Sequence, residues 1–278
     1  MDMEKYCTEG LEIEDGIVVK YSGDSDEPII PNGVYAILDN AFFRKSHITR
    51  ITIPEGVEEI GKYAFYRAGM NELVLPDSLR RIGERAFMQC RFRSVSIPAG
   101  VEVMEAEAFA DSFFLKRVTL PEGLCTIGRR AFYGLDSLSE IEIPSSVKEI
   151  PEDAFYHCRQ LSSITIRDGV TTIGRSAFAE AGRVKRLVIP STVIKIGDYA
   201  FAKCAMLSEV VVSEGVESIG RGAFSDTPYL REVYLPSSLA NIGPNAFPNR
   251  KTLTVFCDDP DSIPDGWNLG KEIRIKRR

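Results

Sequence analysis

One dipeptide, recurring at near-constant spacing, constrains this chain more than anything else in it. Ala-Phe ends at Phe42, Phe65, Phe87, Phe109, Phe132, Phe155, Phe178, Phe201, Phe224 and Phe247, in steps of 22 or 23 residues. Eleven residues before each Phe stands a second mark: Pro31, Pro54, Pro76, Pro98, Pro121, Pro144, Pro190 and Pro236, with Arg167 and Ser213 at the two remaining places. Because the Pro-to-Phe interval never varies, the one-residue length changes fall after the Phe, which locates a surface loop. Self-similarity at this period is the signature of a solenoid, in which a repeat buries its apolar face only against its neighbours. A chain of 278 residues then grows by adding coils rather than by enlarging one core or splitting into two domains.

Each mark within a repeat has a physical meaning. The residues before the Pro alternate with a period of two, as in Ile51 and Ile53, Leu73 and Leu75, Ile141 and Ile143, or Val233 and Leu235. That alternation predicts a half-buried strand with these side chains inward. Proline has no N–H to donate to a ladder, so it ends the strand at the same place in each coil. A second inward pair follows, V-x-x-I, as in Val57 and Ile60, Val147 and Ile150, or Val216 and Ile219. Gly succeeds the Ile in seven of the ten repeats, including Gly61, Gly128 and Gly197, and is predicted to supply positive φ in a tight turn. Ala-Phe returns the chain, the Phe filling the centre of the coil. Residues 1–28 are predicted as an N-terminal cap that begins with an alternating strand pair, 29–257 as ten tandem repeats, and 258–278 as a C-terminal cap in which Trp267 covers the last coil.

A typical unit, Leu138 to Cys158, reads L-x-x-I-x-I-P-x-x-V-x-x-I-x-x-x-A-F-x-x-C. It resembles the BspA-like, Treponema-type leucine-rich repeats, and the resemblance covers roughly residues 29–257. The resemblance implies a leucine-rich-repeat solenoid: a right-handed superhelix with a parallel β-sheet, ten rungs and little helix. It also implies a binding role, commonly at bacterial cell surfaces, with no shared catalytic residues. The Asn ladder of ordinary leucine-rich repeats is missing; Gly56, Ser78, Gly123 and Ser146 stand in its place.

Charge and composition exclude several functions. The 34 basic against 40 acidic residues give a net charge of −6, without the basic excess of a nucleic-acid binder. No apolar run approaches the ~18 residues that cross a bilayer, so no membrane insertion is expected. The opening MDMEKYCTEGLEIEDG is polar and acidic and is not read as a secretory signal. With free thiols this predicts a cytoplasmic chain, or a surface or secreted one had a signal been removed. No GxSxG, P-loop or HExxH motif occurs, and the two histidines, His47 and His157, lack ligand spacing, so no enzyme activity, metal or cofactor is expected. Cys90, Cys158 and Cys204 all stand three residues after the Phe, three and two coils apart. At ~4.8 Å per coil they are too distant for disulfides. Small buried packing residues are the reading favoured over reactive thiols.

Function is left to the outward strand positions. Four residues before the Pro column run Arg50, Glu72, Ser94, Arg117, Glu140, Ser163, Arg186, Glu209 and Glu232. Cross-strand ion pairs Arg50–Glu72, Arg117–Glu140 and Arg186–Glu209 are expected there, worth only ~0.2–1 kcal/mol each. Two before the Pro, Val188, Val211 and Tyr234 make an apolar run on consecutive coils, and aromatics dominate binding hot spots. Arg117, Glu140, Arg186, Val188, Glu209, Val211, Glu232 and Tyr234 are therefore the candidate partner-binding residues, the expected partner being a protein. Tyr66, Tyr133 and Tyr156, one after the Phe column, are read as covering the opposite wall. The alternative function is an adhesin that recognises host glycoprotein or matrix.

Overall fold

The computed structural model describes residues 9–248, 252–259, 263–264 and 274–277; Trp267 lies outside them. The chain forms a β-solenoid of about 11 turns, with no helix among the described residues. It divides into two compact units, Met1–Leu138 and Ser139–Arg278.

In the N-terminal unit the strands are β1 (Leu11–Glu14), β2 (Ile17–Tyr21), β3 (Ala36–Ile37), β4 (Glu59–Ile60), β5 (Arg81–Ile82), β6 (Ser94–Ser96), β7 (Val103–Met104), β8 (Arg117–Thr119) and β9 (Thr126–Ile127). The β1–β2 pair is antiparallel, and β2 joins a parallel stack with β3, β4, β5, β7 and β9. This stack is the V-x-x-I wall. On the I-x-I-P wall, β6 pairs with β8. The C-terminal unit holds β10 (Glu140–Ile143), β11 (Glu149–Ile150), β12 (Ser163–Ile166), β13 (Thr172–Ile173), β14 (Arg186–Ile189), β15 (Lys195–Ile196), β16 (Glu209–Val212), β17 (Ser218–Ile219), β18 (Glu232–Tyr234), β19 (Asn241–Ile242), β20 (Thr254–Cys257) and β21 (Arg274–Arg277). Here β11, β13, β15, β17 and β19 form one parallel sheet, β10 pairs with β12, and β14, β16, β18, β20 and β21 form a second sheet. The turn count exceeds the ten Ala-Phe marks because β20 opens a further coil on β18 with no Ala-Phe after it.

The alternating pattern folds as its period requires: in β10 and β14 the first and third residues are exposed and the second and fourth buried. Proline ends these strands by its missing donor. Where the column departs from Pro, the ladder runs one bond further: the Arg167 N–H donates to Ile143 O and the Ser213 N–H to Ile189 O, both at 3.1 Å. The core is a pile of phenylalanines with almost no exposure. From Phe42 to Phe132 successive ring centroids are 5.0–5.8 Å apart, and from Phe155 to Phe247 5.1–5.4 Å, with planes within 13° of parallel throughout.

The glycines after the Ile do not adopt positive φ, contrary to the sequence-based expectation. They are required by close approach. A Cβ on Gly61 would lie 2.7 Å from Asp39 N, on Gly128 2.3 Å from Glu105 C, and on Gly197 2.7 Å from Gly174 C. The left-handed residues stand instead two places before and two after the Phe, as in Tyr63 (55°) and Arg67 (56°), or Tyr199 (57°) and Lys203 (57°). The alternation turns every second N–H toward the following coil: Tyr63 donates to Glu84 O, Phe65 to Ala86 O and Arg67 to Met88 O, at 2.8–3.0 Å. These bonds offset the ~1–2 kcal/mol that a left-handed conformation costs a residue with a Cβ.

A hydroxyl takes over the work of the missing Asn ladder. Ser78 Oγ accepts the Gly56 N–H and donates to Val57 O, both at 2.9 Å. Ser238 does the same for Gly215 and Val216, and Thr192 for Gly169 and Val170.

Candidate functional site: the outward face of the C-terminal sheet

Constant coil length puts equivalent residues in register, and this positions the candidate side chains. Val188 lies opposite Val211, Val211 opposite Tyr234, Tyr234 opposite Phe256, and Phe256 opposite Lys276. The apolar run read from the sequence thus extends by one coil. Tyr234 and Phe256 stack with centroids 4.7 Å apart and planes 9° from parallel, and the Lys276 ammonium lies 6.0 Å over the Phe256 ring. Val188 is 41% exposed, and Val211, Tyr234 and Phe256 are half-buried.

The charged row flanks this run. Arg186 Nε donates to Glu209 Oε1 at 2.9 Å, as expected, and Glu209 lies opposite Glu232, which accepts the Tyr234 hydroxyl proton at 3.2 Å. The expected Arg50–Glu72 pair differs. Arg50 and Glu72 form no ion pair among the described residues; no strand forms at either position, so nothing holds the two side chains opposite each other. Arg117 sits on β8 in the N-terminal unit and Glu140 on β10 in the C-terminal unit. Glu140 lies opposite Ser163, on a sheet separate from the one that carries Arg186 to Tyr234.

Beside the sheet runs an open groove of about 430 Å³, lined by Lys185, Met206, Ser208, Glu209, Tyr229, Arg231 and Glu232. Met206 is 42% and Tyr229 54% exposed. Sequence reasoning missed both, although each directly precedes an inward Leu (Leu207, Leu230), so the same column marks them.

Among the described thiols Cys125 is exposed and the others, Cys90, Cys158, Cys204 and Cys257, are buried and carry no disulfide. The Cys204 thiol points at Phe178 O, 3.5 Å away, and burial pushes its pKa up to about 12; burial likewise raises that of Cys90. A thiol held protonated is a poor nucleophile. Among the described residues no cluster of His, Cys, Asp or Glu could hold a metal, and no helix is long and apolar enough to cross a membrane. His47 lies against Tyr21 with ring centroids 6.3 Å apart, whereas His157 contacts Glu180 at 2.6 Å.

A stack of short parallel strands around a Phe column, with its variable residues on the outside, defines a repeat scaffold. The chain belongs to the BspA type leucine rich repeat region family, which matches in six copies over residues 35–161 and 125–254. Membership implies a protein-binding module of a non-catalytic kind. Among solved structures the chain is similar to a leucine-rich repeat protein from Bacteroides ovatus, at 24% identity and TM-score 0.64 over 91% of this chain and 83% of that one. A leucine-rich repeat protein from Eubacterium ventriosum matches at 19% identity and TM-score 0.51, covering 90% and 74% of the two chains. The pneumococcal vaccine antigen PcpA matches at 16% and 0.50, covering 90% and 79%. A search of curated proteins returned no match.

Proposed function

We propose that the chain binds a protein partner on the outward face of β14, β16, β18 and β20, through Val188, Val211, Tyr234 and Phe256. The observation that carries this reading is the in-register apolar run itself. On a scaffold whose inward positions form the core, two valines and two stacked rings stand outward in register. The rim is charged: Arg186 and Glu209 pair on one side, and Glu232 continues the row. Such an arrangement, an aromatic centre with polar groups around it, is that of a binding hot spot. The groove adds Met206 and Tyr229 at the margin. Arg117 and Glu140 stand outside this surface.

Replacing Val188, Val211 and Tyr234 together by Asp tests the reading. The expected result is loss of partner capture from the source cell's extract, with the circular dichroism and thermal unfolding of the chain retained. Capture at wild-type level by the folded triple variant overturns the assignment.

A further inference from the structure

The N-terminal unit carries a second exposed surface, on the turns around the Phe column. Phe43 and Tyr66 stack across neighbouring coils at 5.1 Å, and Tyr63 meets both edge-on at 6.2 and 5.6 Å. Arginines lie over these rings: Arg44 over Phe43 at 5.3 Å and Arg67 over Tyr66 at 5.2 Å. Both arginines are exposed, and both occupy the left-handed position two after the Phe, at 57° and 56°. Their backbones are tied to the next coil, Arg44 N–H to Tyr66 O at 2.7 Å and Arg67 N–H to Met88 O at 3.0 Å. The two guanidinium groups are thus carried one coil apart, ~4.8 Å along the stack, and held by ring faces rather than by acids.

The carboxylates of this face are already engaged. Asp39 accepts the Lys62 N–H at 2.7 Å. Glu84 takes Lys62 at 2.6 Å and Arg85 at 3.3 Å, while Glu107 takes Arg85 at 2.9 Å. Arg44, Lys45 and Arg67 form no ion pair among the described residues; the Lys45 ammonium rests 5.4 Å over Tyr21, and Arg67 donates to Gln89 Oε1. Three uncompensated cations, two with planar forks held in place, are suited to oxyanions. Beyond Arg67 the same column continues as Gln89 and Asp111, joined by a 3.4 Å hydrogen bond; amide and carboxylate groups match hydroxyls.

We propose that this turn face binds an acidic polysaccharide, with its carboxylate or sulfate groups seated on Arg44 and Arg67. A stiff chain bearing oxyanions loses less entropy on binding a fixed pair of guanidinium groups than a flexible acidic peptide does.

The full chain is applied to immobilised heparin, alginate and hyaluronan, with neutral dextran as control, at low and raised salt. Retention is expected on at least one acidic polysaccharide and not on dextran, and is expected to weaken with salt. Arg44→Gln with Arg67→Gln is expected to weaken binding about tenfold, from the loss of charge-assisted hydrogen bonds. Arg91→Gln with Arg93→Gln, which removes equal charge elsewhere in the unit, is expected to leave it unchanged. Should the first pair fail to fold, Arg44→Lys with Arg67→Lys, which keeps the charge and loses the fork, is expected to weaken binding in the same direction. Three results each overturn the proposal: no retention on any acidic polysaccharide, equal loss from both Gln pairs, or equal binding of poly-glutamate or single-stranded DNA.

Discussion

Tyr234 and Phe256 lie face to face across β18 and β20, centroids 4.7 Å apart, on the outward side of the sheet. Neither ring fills the core, so the pair spends aromatic surface where a buried column already supplies cohesion. Removing one ring measures what the pair does. Phe256→Ala is expected to lower stability by about 1–3 kcal/mol, the stack and the half-buried area together, while weakening partner binding more, because Tyr234 loses the face that orients it. Denaturant unfolding beside a binding isotherm checks this. A stability loss several times larger with unaltered affinity would make the pair architectural.

Core phenylalanines behave oppositely. Phe178 is fully buried between Phe155 at 5.1 Å and Phe201 at 5.4 Å. Phe178→Ala is expected to cost about 3–5 kcal/mol, transfer and cavity together. Equilibrium urea unfolding reads the difference.

Gly128 tests the steric account of its column. Its φ is not positive, yet a Cβ would meet backbone at 2.3 Å. Gly128→Ala is expected to destabilise by about 1–3 kcal/mol, as overpacking does. Gly56 gives the contrast: its φ is +102° and the nearest atom to a Cβ is 3.5 Å away, so any cost there is conformational. Unchanged stability in Gly128→Ala would show that neighbouring coils can part without cost.

The buried thiols make stability fall in alkali. The Cys204 pKa rises from 9.0 to about 12 on burial. A group whose folded pKa is raised contributes stability that is fully present below its unfolded pKa and lost as pH climbs through the folded one. The loss therefore runs from about pH 9 to pH 12. Cys204→Ser is expected to show a shallower decline across that window in pH-dependent thermal unfolding. Identical slopes would place the alkaline loss on other groups.

What could be read in advance follows from what a period can encode. Phe42 to Phe247 repeat in identity and spacing, so the core column was legible, and register put Val188, Val211 and Tyr234 side by side with no further information. Arg186–Glu209 formed because both residues lie on paired strands; Arg50–Glu72 did not because no strand formed there. Gly128 was recognised as necessary but for a different cause, since sequence does not separate positive φ from close approach. The left-handed places were invisible for a related reason. Tyr63, Arg85, Glu107 and Ser176 fill them, and what selects the conformation is a backbone bond to the next coil, which no side-chain pattern announces. Met206 and Tyr229 went unseen because the place before the inward Leu changes residue type from coil to coil, as in Ser137 and Gln160. The arginines over Phe43 and Tyr66 needed coordinates to be found at all.

The claim that the outward C-terminal sheet carries the partner is tested most directly by site-specific photo-crosslinking. Benzoylphenylalanine is placed singly at Val211, at Tyr234 and, on the turn after Phe155 in the same unit, at Tyr156, and each protein is irradiated with extract of its source cell. The account expects one discrete adduct from positions 211 and 234 and none from 156. Adducts from 156 with none from 211 or 234 would contradict it.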